Sequence, residues 1–320
     1  MTLDEILTID SSRWQAPQVP ENIPHGDMPG DKVHVDQSHV DKMSLIFPSL
    51  LEDVKKLLQA NPAHKAVITV CGGSGVGKSE SASVLAWFFN QLGVGAYVMS
   101  GDNYPRRIPM YNDAERISVF RHAGIRGLMG SGLYTAERSR EVIRFQQEDV
   151  DASPAILKEH PWMEAYQKAG RAELSCYLGT EREQGFEVLS EILAQFKQGR
   201  ECIWLKRMGR TDTELWYDAV DFSQVQVLIL EWTHGNSDGF SGVDIPVLLN
   251  STPQETAAYR KLRARDGKTD SPFTTMVLEI EQAKLESQAK KARYIITKDC
   301  RLISYPEYKQ VMADDAAGKA

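Results

Sequence analysis

Gly72-Gly73-Ser74-Gly75-Val76-Gly77-Lys78-Ser79 fits the pattern G-x-x-x-x-G-K-[ST] without a mismatch. That spacing serves one kind of chemistry, the wrapping of backbone N–H groups around phosphate oxygens. Glycines let the backbone close on the oxygens, because no side chain stands in the way. Lys78 has the reach and charge for the outer phosphates of ATP, and Ser79 offers a hydroxyl oxygen to Mg2+. A glycine-rich turn that binds nothing is the alternative, and the flanking sequence argues against it. Ala66-Val67-Ile68-Thr69-Val70 reads as a buried strand, and residues 80–92 place Val84, Leu85, Phe88, Phe89 and Leu92 on one helical face. A strand, a glycine-rich turn and a helix N-terminus are the context a phosphate-binding loop requires, since the helix dipole also favours negative charge there.

Two carboxylates stand where a terminal phosphate would be met. Ala96-Tyr97-Val98-Met99 reads as a second strand and runs into Ser100-Gly101-Asp102-Asn103-Tyr104-Pro105. In a parallel sheet this end shares an edge with the phosphate loop, so Asp102 is expected to face the phosphate as a base for an attacking hydroxyl, or to hold magnesium through water. The alternative is an aspartate capping a turn. Glu231 follows the apolar run Val225-Gln226-Val227-Leu228-Ile229-Leu230, again at a strand's carboxyl edge, and is a candidate for assisting the metal or the second substrate. A solvated strand end is the competing account.

Cations supply the third group. Arg260-Lys261-Leu262-Arg263-Ala264-Arg265-Asp266 closes a helical pattern before Gly267. Phosphoryl transfer spreads negative charge over oxygens, which a planar, always-charged guanidinium matches. Arg260, Arg263 and Arg265 therefore read either as a lid over ATP, spanning about 259–272, or as a solvated helix face near the C-terminal dipole. Tyr104, Arg106, Arg107, Lys206 and Arg207, with Arg210 beside them, are candidates for gripping a second, anionic substrate. Surface salt bridges compete for each of these cations taken singly.

The elements that must position these groups alternate strand and helix, which implies a parallel β-sheet with helices on both faces. Further strands are expected over 201–205, 245–249 and 294–296, with helices over 40–60, 185–198 and 274–292 and another opening at Thr252. Residues 1–40, punctuated by Pro17, Pro20, Pro24 and Pro29, read as an extended arm. The span 105–200 is mainly helical, lacks its own strand set, and reads as an insertion forming an acceptor pocket or cover in one kinase-sized domain over 41–320. Ligands of open parallel sheets bind beyond the strands' carboxyl ends.

Composition excludes several classes. A formal charge of -7 argues against a general nucleic-acid binder. No stretch reaches the roughly 18 apolar residues of a membrane span, and residues 1–5 lack a secretory leader's basic start. Cys71, Cys176, Cys202 and Cys300 are scattered without metal-ligand spacing, as expected of reduced thiols in the cytoplasm.

The ordered set resembles the phosphoribulokinase and uridine kinase family of P-loop kinases. Gly72 to Ser79 resembles that family's GGS-type loop, and Ser100-Gly101-Asp102-Asn103-Tyr104 its S-x-D-D-F-Y element, with Asp102 in the place of the base. Leu230-Glu231-Trp232 resembles its strand ending in Glu-Gly, and the arginine-rich stretch before Asp266 its R-x-x-R-D lid. Asn103 stands in place of a second aspartate and Trp232 in place of a glycine, which is expected to crowd that corner. The resemblance implies transfer of the terminal phosphoryl group of ATP to a hydroxyl of a small molecule, in a cytoplasmic enzyme with a homodimer among the open states. A second likeness, of the Gly101-Asp102-Asn103 element to adenylylsulfate kinases, is the alternative within enzymes. A regulatory P-loop ATPase or switch is the alternative outside them, and the absence of an N-K-x-D element argues against a GTPase.

Overall fold

The computed structural model describes residues 1–20, 22–211, 213–251, 255–256 and 271–316. The chain divides into a sheet unit (1–104, 185–256 and 285–320) and a helical unit (105–184 and 257–284).

The sheet unit is built on six strands: β1 (Ala66–Gly72), β2 (Ala96–Ser100), β5 (Val227–Glu231), β6 (Ile245–Leu249), β7 (Tyr294–Ile296) and β8 (Leu302–Ile303). Their order is β2-β5-β1-β6-β7-β8, parallel except for β8 at the edge. All residues of β1 and β5 are buried, as a parallel sheet covered on both faces demands. The strand period of two splits their side chains between two cores. Ile68, Val70, Ile229 and Val247 pack with the buried face of α2 (Gln37–Ala60) and with α3 (Lys78–Gln91). Val67, Leu228 and Leu230 pack with α7 (Phe186–Lys197). Leu248 and Ile295 meet Leu285 and Tyr308, the latter from α9 (Tyr305–Ala316), a helix the sequence pattern did not announce.

The strand expected over 201–205 forms, but outside the main sheet. β3 (Cys202–Met208) pairs antiparallel with β4 (Leu215–Asp221) in a separate two-stranded sheet. Its alternation explains why: Ile203 and Leu205 are buried while Cys202 and Trp204 are exposed, the mark of a half-buried ribbon.

Residues 1–40 are more structured than an extended arm. α1 (Leu3–Leu7) starts on a capping box between Thr2 and Glu5 and buries Ile6. Trp14 lies 4.6 Å from Phe47 and 5.0 Å from Phe88, ring centre to ring centre, and Ile23 is buried in the same core.

The helical unit comprises α4 (Pro109–Gly130), α5 (Ala136–Gln147), α6 (Met163–Tyr177) and residues up to 284 of α8 (Pro272–Gln288). Phe120, Phe145, Tyr166, Leu174 and Ile280 form its core. Ser271, within the span expected as a lid, accepts from the Thr274 N–H at 3.0 Å ahead of α8. The remainder of that span, with Arg260, Arg263 and Arg265, and the helix expected to open at Thr252, lie outside the described residues. Among the described residues no helix is long and apolar enough to cross a membrane.

Candidate active site

β1 delivers the phosphate loop. Gly72 ends the strand with φ of 155°, and Gly75 and Gly77 take φ of 79° and 91°. At Gly77 a side chain would also collide with His39 near the N-terminus of α2, whose Nε2 lies 2.4 Å from where a Cβ would stand. Gly77 therefore serves twice, as a left-handed hinge and as room for a histidine behind the loop. α3, a 14-residue helix, begins at Lys78, and no side chain of its N-cap position hydrogen-bonds to its first turn. An uncapped N-terminus of this kind fits an anion such as a phosphate. Lys78 Nζ donates to the Gly73 carbonyl at 3.0 Å, which keeps its charge over the loop.

β5 and β2 deliver the carboxylates. Ser100 pairs in register with Glu231, and Glu231 with Val70, so the ends of the three strands lie side by side. Glu231 is buried and accepts from Ser79 Oγ at 3.2 Å and from Ser100 Oγ by a shorter bond. Burial pushes its carboxyl up to about 8, and the charge of Asp102 pushes the same way against Lys78 and the two hydroxyls. Asp102 sits in the one-turn helix Gly101–Asn103 and, unlike Glu231, is exposed. Glu231 feels the charges of both Asp102 and Lys78, in keeping with the ends of β1, β5 and β2 lying side by side. Ser79 and Glu231 present hard oxygens to each other, a donor set that fits Mg2+.

The crowding expected from Trp232 is resolved across the sheet. Trp232 is 2% exposed and lies over Gly101, where a Cβ would stand 2.1 Å from Trp232 Cγ. Asn103 has an equally local reason. Its Nδ2 donates to Asp27 Oδ1 at 3.2 Å and its Oδ1 accepts from the Met208 N–H at 3.0 Å. An aspartate there would lose the donor and set a second carboxylate against Asp27.

Two expected substrate residues lie within the protein's own packing. Tyr104 is 2% exposed in the sheet unit's core, its hydroxyl 3.9 Å from Met99 Sδ. Arg207 is buried in an ion pair with Asp27 at 2.9 Å and also meets Asp218 at 3.0 Å. It is committed to the fold, as a buried guanidinium must be paired. Lys206 lies on β3 at the register position of Tyr217. Arg106 and Arg107 belong to the helical unit: Arg106 Nε donates to the Glu181 carbonyl at 2.6 Å, and Arg107 Nη1 to Tyr177 Oη at 3.2 Å. The Cys71 thiol is pushed up to about 12, first by burial, in keeping with a small core residue ending a strand. Sequence reasoning missed Asp27 and His39, since neither lies in a motif; a buried-acid partner for Arg207 was the one available signal.

No family model matches the chain. It is 39% identical over 250 residues, 78% of its length, to a protein of Mediterraneibacter gnavus named bifunctional alpha-galactosidase/sucrose kinase AgaSK. The match spans 22% of that larger protein, so this chain corresponds to about a fifth of it. Among solved structures it is similar to a possible uridine kinase from Bacillus stearothermophilus, with 13% identity, 77% of this chain and 98% of that one covered, and a TM-score of 0.39. On its own sheet order, its loop between β1 and α3, and its helices on both faces, the chain has the α/β fold of the P-loop nucleotide-binding proteins.

Proposed function

We propose that the protein is an ATP-dependent kinase that moves the terminal phosphoryl group to a hydroxyl of a sugar. The observation that carries this reading is the pairing of one exposed and one buried carboxylate beside Lys78: Asp102 open to a substrate, Glu231 closed in with Ser79. In it, the loop amides and Lys78 hold the phosphates, and Asp102 takes the proton of the attacking hydroxyl. Ser79 and Glu231 would hold Mg2+, which neutralises phosphate charge when bound. Similarity to the kinase-bearing relative supports a sugar as the acceptor ahead of a nucleoside or ribulose phosphate.

The test is ADP release from ATP and Mg2+ against a panel containing sucrose, fructose, uridine and adenylylsulfate. A steep rise with a sugar is the expected result. A rise with adenylylsulfate or uridine alone would move the acceptor class, and a rise only with a protein partner would replace the enzyme by a switch. Asp102→Asn should then lower kcat by about 10²- to 10⁴-fold and leave ATP binding near its original value. A near-original rate with the true acceptor removes Asp102 from its role.

A further inference from the structure

We infer that Asp27, from the N-terminal segment, is a positioning residue for Asp102. The inference rests on the kinase reading above and concerns how the loop carrying its base is held.

One oxygen of Asp27 grips both sides of Asp102. Oδ1 accepts from the Ser100 backbone N–H at 2.7 Å and from Asn103 Nδ2 at 3.2 Å. The segment between those two donors is Gly101-Asp102. The other oxygen faces the opposite way, accepting from Arg207 Nη1 at 2.9 Å and Tyr97 Oη at 3.1 Å. Arg207 Nη2 also donates to Tyr97 Oη at 3.1 Å, so the anchor is itself cross-braced. Asp27 and Arg207 side chains are each 7% exposed. Charge-assisted bonds in such a place are stronger than neutral ones and tolerate little displacement. Asn103 is tied on its far side as well, through the Met208 N–H on β3.

Past β2 a backbone bond from the Tyr104 N–H to the Gly101 carbonyl at 2.9 Å closes the turn, and Asp27 ties that turn to the rest of the unit. β2 finishes at Ser100, and beyond it the strand ladder no longer fixes the chain. Asp27 replaces the missing ladder: its carboxylate caps the free Ser100 N–H and catches the side chain three residues on. Asp102 is thereby exposed to a substrate while its two flanks are fixed. An acid–base group displaced by about 1 Å can lose on the order of 10²-fold in rate, so such a clamp sets turnover without touching substrate.

The experiment uses the full chain with two variants. Asp27→Asn weakens the grip while keeping an oxygen for Ser100. Asn103→Asp leaves Asp27 in place and sets a second carboxylate against it, which covers the case in which Asp27→Asn fails to fold. Both should lower kcat by about 10- to 100-fold with KM for ATP changed less than about twofold. Backbone amide exchange over 100–104 should speed up in each single variant while exchange in α3 stays as in the parent. Unchanged exchange over 100–104, or a kcat near the parent's in both single variants, overturns the inference. The exchange readout needs no acceptor, so absence of any phosphoryl acceptor would defeat the kinase reading and leave the clamp to be judged by exchange alone.

Discussion

Buried carboxylates are treated in opposite ways by the two units. In the helical unit, Glu183 is fully buried and is met by Arg116 at 2.6 Å, Asn112 at 3.1 Å and the Gly179 N–H at 2.6 Å. Asp151 there is matched by Arg121 at 3.0 Å and Tyr166 at 2.9 Å. In the sheet unit, Glu231 is equally buried, yet its hydrogen bonds come from two serine hydroxyls, and the repulsion of Asp102 works against the attraction of Lys78. The first arrangement offsets the cost of burial with a fixed cation; the second leaves part of that cost standing. A buried acid whose burial is left partly unoffset is a common mark of a ligand site; on the proposed kinase reading, the sheet edge is the working end and the helical unit's acids are structural.

Three measurements break or sharpen the contrast. The largest effect belongs to Glu231 in protein free of nucleotide and magnesium. Its carboxyl titrates near 8 when folded, against an ordinary 4.5. The folded state then holds a proton that the unfolded chain has already lost, so stability falls as pH rises between those values. At about 1.4 kcal/mol per pKa unit, the wild type should lose on the order of 5 kcal/mol relative to Glu231→Gln across that window. Denaturant melts of both proteins at several pH values check it; parallel curves would mean Glu231 is as well matched as Glu183.

Next is Arg116→Met. It strips the cation from Glu183 and should cost about 3–5 kcal/mol, because a buried carboxylate is left unpaired. ADP affinity of the folded protein, read by titration, should not move. A loss in affinity with little loss in stability would erase the division of labour.

The smallest effect is at the corner of β2 and β5. Gly101→Ala drives a methyl into Trp232 and should cost about 1–3 kcal/mol. Combined with Trp232→Gly, the loss should be clearly less than the sum of the two single losses, because residues in contact do not add. Additive losses in a double-mutant cycle would show that the two do not share that space.

Much of the sheet unit was legible because its signals are local. A loop of fixed spacing, an apolar run ending in Glu231 and a second strand ending near Asp102 each declare themselves within ten residues. What escaped was long-range or alternating. Asp27 meets partners 70 and 180 positions away, and no neighbour in sequence announces them. The prolines around it suggested an extended arm, although a chain without regular bonding can still be pinned by side chains. β4 escaped because Trp216 and Tyr217 are exposed and the segment shows no apolar run. The burial of Tyr104 and Arg207 was hidden for a related reason: residue type alone does not separate an aromatic or a cation that faces a ligand from one packed within the protein.

The meeting of Trp232 with Gly101 makes two distant positions in the sequence interdependent. A bulky group on one strand end obliges a bare backbone on its neighbour, so either position can vary only together with the other.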